Sequence, residues 1–534
     1  MKLRKSLCVL LAILMLASLA LAACGNSESS AAPAQSGGSS DTSSSAPASN
    51  AADDGEDEED EWDEIAELNV VLCSIGEKSG WADIQDKINE IAEARAGVHI
   101  NVEWIEIGSW IQQMNLKMSS GDSVDLIHIT PLMTFTNMYS QNELMDITDM
   151  MEEEGPDLLT LIPDTYWSGT TVNGRAYGVP MLFPKQGSVF VTAPTALLEE
   201  YGVQEQFESM DSWSDYEAIL QTVKDKGDLV PMYINAKANT ATTFPDMIDV
   251  SADDWSQAHG IDNLGDSFNL IYVDTDTDTV KSYYHSDIFQ ADMARAADLY
   301  NKGLIYKDGA NTDLEGLDAL ANGVAFSVLN GTENLTGQQT TDGRVGQPST
   351  NVLLAPQVVT TWNMNMWSYA VPYTAKEPEA AVRFLNLLYT DSEIANLFTW
   401  GIEGRDYTRN DDGTCTVLWG QNQYFSQYFL HGNAMIIYAG EGSAADHYER
   451  MDDIIHNQIC SKYLGFVCDT SSITNELTAC NNAKQEYAYG LLAGSVPDYE
   501  THYAAFIKQL DDSGMQKILD CYQAQLDAWM AANQ

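Results

Sequence analysis

The feature that most restricts the fold is an alternation between residues 68 and 129. "LNVVLCSI" (68–75) is an almost unbroken apolar run of strand length. The "WADIQDKINEIAEARAG" that follows puts Ile84, Ile88, Ile91 and Ala92 on one helical face and stops at Gly97. "VHINVEWIEI" alternates Val98, Ile100, Val102 and Trp104 as a second strand, "SWIQQMNLKMSSG" reads as a helix ended by Gly121, and "DLIHI" (125–129) is a third strand. Strand, helix, strand, helix, strand describes a parallel α/β sheet, because each parallel crossover needs an intervening helix that then covers the sheet. Ligands of such sheets sit beyond the carboxyl ends of the strands. The loops at Ser79–Trp81 and Thr130–Leu132 lie at such ends.

The chain has 534 residues, and setting aside the first 67 leaves 467, enough for two lobes and too many for one ordinary core. Those first residues read as an export segment. Lys2, Arg4 and Lys5 precede an apolar run from Leu7 to Ala23, broken only by Ser18 and too short to span a membrane. Leu21-Ala22-Ala23-Cys24 resembles the bacterial lipobox, which implies a lipoprotein signal peptide over 1–23 and lipidation of Cys24. Two acyl chains anchor stably where one does not. Residues 25–52 are small and polar, and 53–67 carry 11 acids, so 24–67 reads as a lipidated, flexible acidic linker.

A net charge of −53 excludes nucleic acid as a partner, since a backbone binder needs a basic footprint. Six of the eight cysteines lie beyond residue 24, and an export compartment allows pairing among Cys460, Cys468 and Cys480. Cys73 and Cys521 read as small buried hydrophobes. The eight histidines form no HExxH and there is no CxxC, which argues against a zinc site; no GxSxG and no GxxxxGK[ST] occurs. Asp274, Asp276 and Asp278 in "VDTDTDT" have calcium-loop spacing, but Thr279 and His285 stand where an EF-hand needs Gly and an acid, so the stretch reads as a hairpin turn. No catalytic residue, metal or cofactor is expected.

"TTVNGRAYGVPMLF" (170–183), "LYNKGLIYKDGAN", "LANGVAFSVLNGTENL", and the long run from "WSYAVPYTAKEPEAAVRFLNLLYTD" to "GIEGRDY" (401–407) follow one another in a telling order. That order resembles the family 1 extracellular solute-binding lipoproteins of carbohydrate ABC importers. The last run and the terminal "FIKQLDDSGMQKILDCYQAQLDAW" are similar to its LipO-like subgroup, although Asp406 stands where relatives often carry His. The resemblance implies a two-lobe periplasmic-binding-protein-like (type II) fold with a hinge between the lobes. The expected division is lobe 1 over 68–179, lobe 2 over 180–310, a return and crossover over 311–370, and lobe 2 with C-terminal helices over 371–534. Crossing strands are expected near Gly178–Met181.

A saccharide presents apolar C–H faces ringed by hydroxyls, and its site needs flat aromatic platforms with polar groups in a cleft. Trp81, Thr130, Phe183, Trp362, Trp367 and Tyr369 are the expected ligand-binding residues, with Glu403 and Arg405 as polar contacts. For each tryptophan, burial in the core reads equally well, and solvent exposure is the alternative for the two charged residues. Trp104 and Trp529 are expected in the core and Trp213 at a helix start. So are the helical stripes Ala381, Phe384, Leu385, Leu388 and Ile518, Cys521, Tyr522, Leu526, Trp529. By resemblance, the partners are a saccharide and ABC permease subunits, and the protein is a monomer tethered by lipid on the outer face of the bacterial cytoplasmic membrane. A peptide or polyamine receptor, an adhesion or signalling module and a surface glycan hydrolase are the alternatives weighed.

Overall fold

The computed structural model describes residues 62, 64–76, 78–237, 247–418, 424 and 426–533. The signal peptide, Cys24 and most of the acidic linker lie outside the described residues. In chain order the elements that frame the molecule begin with β1 (Ala66–Ser74), α1 (Trp81–Ala96), β2 (Val98–Glu106), α2 (Trp110–Ser120) and β3 (Leu126–Ile129). After a stretch of short helices come β4 (Val179–Pro180), β5 (Gly187–Pro194), α3 (Trp213–Lys226), β6 (Val230–Tyr233), α4 (Asp287–Asn301), β7 (Ala325–Glu333) and β8 (Ser349–Pro356). β9 (Ser368–Ala370), α5 (Pro378–Thr390), α6 (Ser392–Trp400) and α7 (His447–Asn457) follow, then α8 (Thr474–Leu492), α9 (Tyr499–Asp512) and α10 (Met515–Ala532).

Two sheets result. The first has the order β2–β1–β3–β9–β4, with β1 parallel to β2 and to β3, as the alternation in the sequence requires. Ile84, Ile88 and Ala92 of α1 are buried on it, and Gly97 ends the helix at φ 60°, the left-handed region where glycine carries no steric penalty. Pro378 opens α5, where a missing N–H costs nothing, and the stripe Ala381, Phe384, Leu385, Leu388 is buried. The second sheet has the order β8–β5–β7–β6, and the hydrophobic core around it runs on into α8, α9 and α10. Asn173-Gly174 forms the two-residue turn between the paired Thr171–Val172 and Arg175–Ala176. The "VDTDTDT" stretch is indeed a hairpin: Ile271–Asp274 pairs with Thr279–Ser282, and Asp274 ties the turn to Lys281.

The expected lobe boundaries are corrected. β7 and β8, placed by the sequence in a return to lobe 1, both pair with β5 in the second sheet. α5, α6 and α7, expected in lobe 2, pack on the first core instead. The reason is that strand pattern fixes a strand but not its neighbour, and β5 needs two. Gly178–Met181 lies within the first sheet, and the chain crosses later. Three segments pass between the lobes together. The Gln186 amide donates to the Gln357 carbonyl at 3.3 Å and accepts from the Ile459 N–H at 3.2 Å, and Val359 exchanges backbone bonds with Ile459 and Ser461. The linker also ends earlier than expected. The Arg383 guanidinium lies 4.7 Å from the ring centroid of Trp62, and β1 begins at Ala66.

All six described cysteines are free thiols, so the expected pairing among Cys460, Cys468 and Cys480 is not made. The Cys480 thiol points instead at the Leu510 carbonyl, 3.7 Å away. Among the described residues no helix is long and apolar enough to cross a membrane.

Candidate functional site

At the carboxyl ends of β1, β2 and β3 a group of rings closes over the first sheet. Trp81 meets Trp104 edge-to-face at 5.1 Å, stacks on Tyr424 at 5.9 Å and tilts against Phe398 at 5.5 Å. Trp104, expected in the core, is half-buried in this rim. The Lys78 ammonium stands 5.3 Å from the Trp104 ring and 5.5 Å from that of Tyr424, and burial lowers it to about 8. Beneath lie two buried histidines. His128 Nδ1 accepts the Cys73 N–H at 3.2 Å, which leaves the ring proton on Nε2, and His431 Nε2 shares a 2.6 Å bond with the Ser426 hydroxyl. Burial lowers His128 to about 3 and His431 well below its ordinary value, keeping both rings neutral. Thr130 is buried and accepts the Met133 N–H, holding the turn after β3 rather than facing a ligand.

A second group sits where the chain leaves the first sheet. Phe183 lies 5.8 Å from Phe429 and 6.4 Å from Tyr428, with the Lys185 ammonium 3.8 Å above its ring. Lys185 donates to the Met366 carbonyl at 2.8 Å, and its burial pulls the ammonium well below the usual lysine range. Trp367, 5.8 Å from Phe429, has φ 57°, a strained conformation for a bulky residue of the kind that collects at ligand clamps. Leu335, from the loop after β7 in the second lobe, is buried in the first-lobe core.

Several expected contacts are corrected. Tyr369 is 1% exposed and donates its hydroxyl to the Leu430 carbonyl, so it is core. Trp367 is also buried, and Trp362 is half-buried on the short helix Thr361–Asn365 beside the second crossing. Arg405 is a structural tie: its guanidinium binds Asp83 at 2.8 Å, the Gly80 carbonyl at 3.2 Å and the buried Asp406, joining the 401–407 turn to the start of α1. Asp406 in turn accepts the Ile402 N–H at 2.8 Å. Glu403 is exposed on that turn.

Sequence reasoning missed the residues that line the gap between the lobes on this side. Two adjoining hollows of about 370 and 170 Å³ share Thr336, Gln339, Ser443 and His447. Thr336 and Gln339 follow β7 of the second lobe, and Trp400 and Tyr438 face them across the smaller hollow, with Tyr428 beside them. The Trp400 indole N–H donates to the Tyr438 carbonyl at 3.1 Å, and the Arg409 guanidinium lies 3.7 Å over the Tyr438 ring. Trp400 reads as one more apolar helix residue, and Tyr428 and Tyr438 stand in an irregular segment with no periodicity. The only signal was the aromatic density of "YFSQYFLHGNAMIIYAG". This groove offers aromatic faces, hydroxyls and amides to a ligand. Among the described residues no group of three or more metal-binding side chains converges.

Comparison with known proteins fits this geometry. Residues 81–394, more than half of the chain, match the family described as bacterial extracellular solute-binding protein, and 462–531 match a domain of unknown function, DUF3502. A carbohydrate ABC transporter substrate-binding protein of Streptococcus pneumoniae serotype 4 is 23% identical over 476 residues, 86% of this chain and 91% of that protein. The crystal structure of the N-glycan transport solute-binding protein NgtS from S. pneumoniae has a TM-score of 0.74 at 21% identity, covering 88% of this chain and 100% of that one. NgtS in complex with Man5GlcNAc has a TM-score of 0.64 at 20% identity, covering 88% and 99%. These likenesses establish the two-lobe fold.

Proposed function

The chain belongs to the family of bacterial extracellular solute-binding proteins, which bind solutes outside the cytoplasm and are not enzymes, and from that premise we propose that it captures a saccharide and delivers it to an ABC permease. The observation that carries this reading is the interlobe groove, with Trp400, Tyr428 and Tyr438 on one wall and Thr336 and Gln339 on the other. Aromatic faces pack on sugar C–H surfaces, and short hydroxyl and amide side chains meet the ring hydroxyls. Phe183 is buried against Tyr428 behind this wall, while Trp81 and Trp362 are half-buried.

Capture proceeds by hinge closure about the three crossing segments, bringing Thr336 and Gln339 down on the ligand. A micromolar dissociation constant corresponds to about 8 kcal/mol, within reach of two or three stacked rings and several hydrogen bonds. No cofactor takes part. The cargo is an oligosaccharide, in keeping with the complexes of the related protein. The receptor works as a monomer held by lipid on Cys24 at the outer face of the cytoplasmic membrane, with its acidic linker as a spacer.

The test is a thermal-shift and calorimetric screen of residues 62–534 against Man5GlcNAc, other mono- and oligosaccharides, short peptides and polyamines. A glycan at a hundred times its dissociation constant should stabilise the fold by about 2.7 kcal/mol and be recovered uncleaved. Shifts with peptides or polyamines alone would overturn the saccharide reading. Intact mass of the membrane-extracted protein tests the lipid on Cys24.

A further inference from the structure

A second hollow exceeds the groove just described in volume. A crevice of about 1000 Å³ opens between the lobes elsewhere, and none of the residues of the proposed groove lines it. Its first-lobe wall carries Tyr139 and Tyr177, edge-to-face at 4.9 Å. Its second-lobe wall carries Trp529 of α10 and Phe466, edge-to-face at 6.0 Å. Trp529, expected in the core, is only half-buried, which leaves its ring partly open to the space.

The polar groups at this crevice are neutral apart from the Asp469 carboxylate. Asn142 and Asn173 stand exposed at its edge on two turns with positive φ. In a chain of net charge −53 the lining has no cation and one carboxylate, Asp469, which is already occupied by the Ser471 N–H at 2.9 Å. With one carboxylate and no cation in its lining, the crevice carries little charge for so acidic a chain and favours an uncharged ligand. Apolar ring faces with neutral amides, at the upper end of ligand-site volumes, suit an uncharged hydroxyl-rich chain.

We propose that this crevice is a second saccharide site, for a neutral oligosaccharide, separate from the groove of the proposed function. Its two walls belong to different lobes, so an occupant that touches both favours the lobe separation that fits it and thereby biases the hinge. The proposal rests on the saccharide reading for its ligand class but on different residues.

The experiment is hydrogen exchange with mass spectrometry on residues 62–534, with Man5GlcNAc and maltopentaose as probes, read separately for peptides around 139–144 and 525–533 and for those around 400, 428 and 438. Protection of both sets supports two sites. Protection of the 400–438 set alone overturns the second site and leaves the proposed function standing. Protection of the 139–144 and 525–533 set alone supports the crevice and overturns the groove; protection of neither overturns both. The variant Ala528→Trp, at an exposed position that lines the crevice, fills the space. It should weaken pentasaccharide protection there about tenfold in concentration while the other set is unchanged. Trp529→Ala, which removes the platform without filling anything, should do the same if the first variant folds poorly.

Discussion

The groove beside Trp400 and the crevice beside Trp529 both lie between the lobes, yet they hold their aromatic rings differently. Trp400 is 7% exposed, its indole pinned to the Tyr438 carbonyl, and Tyr428 packs against Phe183 and Phe429. Trp529 touches Phe466 by an edge and is only half-buried. The first arrangement is preorganised: its rings lose little freedom when a ligand arrives, which favours discrimination among sugars. The second offers platforms without a tight frame and suits a class of ligand better than a single one. Part of the specificity of such a protein therefore lies in how far its platforms are fixed before the ligand comes.

The largest expected effect breaks or sharpens that contrast directly. Trp400→Ala should cost about 3–5 kcal/mol in urea unfolding, the range for a buried tryptophan, and abolish binding in the groove. Trp529→Ala should cost less, about 1–2 kcal/mol, because its ring is already partly solvated. Equal losses would erase the distinction between a pinned and an open platform.

Arg405→Ala comes next. It leaves the Asp406 carboxylate buried without its cation and frees the turn from α1, and should destabilise by about 2–3 kcal/mol, reduced from the fully buried case because Arg405 is partly exposed. Saccharide binding, measured on the folded fraction by calorimetry, should change little. A large loss of affinity without loss of stability would return Arg405 to the list of ligand contacts.

A pH dependence carried by two buried histidines of the first lobe is the remaining test. His128 and His431 are neutral when folded, and their depressed values mean that the unfolded chain binds protons first. Stability is full above about 6.5 and falls as the pH drops from there toward 3, with a slope of about 1.4 kcal/mol per pH unit for each histidine over its own window. Urea melts at stepped pH should show the slope, and His128→Leu should remove its share. The crevice holds no histidine, so peptides of α10 should exchange no faster on acidification until the first lobe opens.

Much of the frame was legible before any coordinates. The β1–α1–β2–α2–β3 run, the Gly97 stop, the α5 stripe and the hairpin at 271–282 follow from periodicity and turn chemistry, which act within a few residues. The candidate site was legible only in part. Trp81 stands half-buried among the rings over the first sheet, but Phe183, Tyr369, Trp367 and Thr130 are buried and Arg405 is a tie, because the sequence cannot tell a ring facing a cleft from one facing a core one strand away. Trp400 reads as one more apolar helix residue, and Tyr428 and Tyr438 carried no periodic signal.

What the sequence by itself determined, then, is the kind of each local element and the two-lobe α/β class, since hydrophobic spacing dictates whether a segment must be strand or helix to hide its apolar side. Only the tertiary structure decided that β7 and β8 complete the second sheet, that α5 to α7 cover the first, and which aromatic rings remain open between the lobes. Those outcomes depend on contacts between segments more than a hundred residues apart. β5 finds its partners at 325–333 and 349–356, and Leu182 finds its own at Gly432, through backbone hydrogen bonds that every residue offers alike.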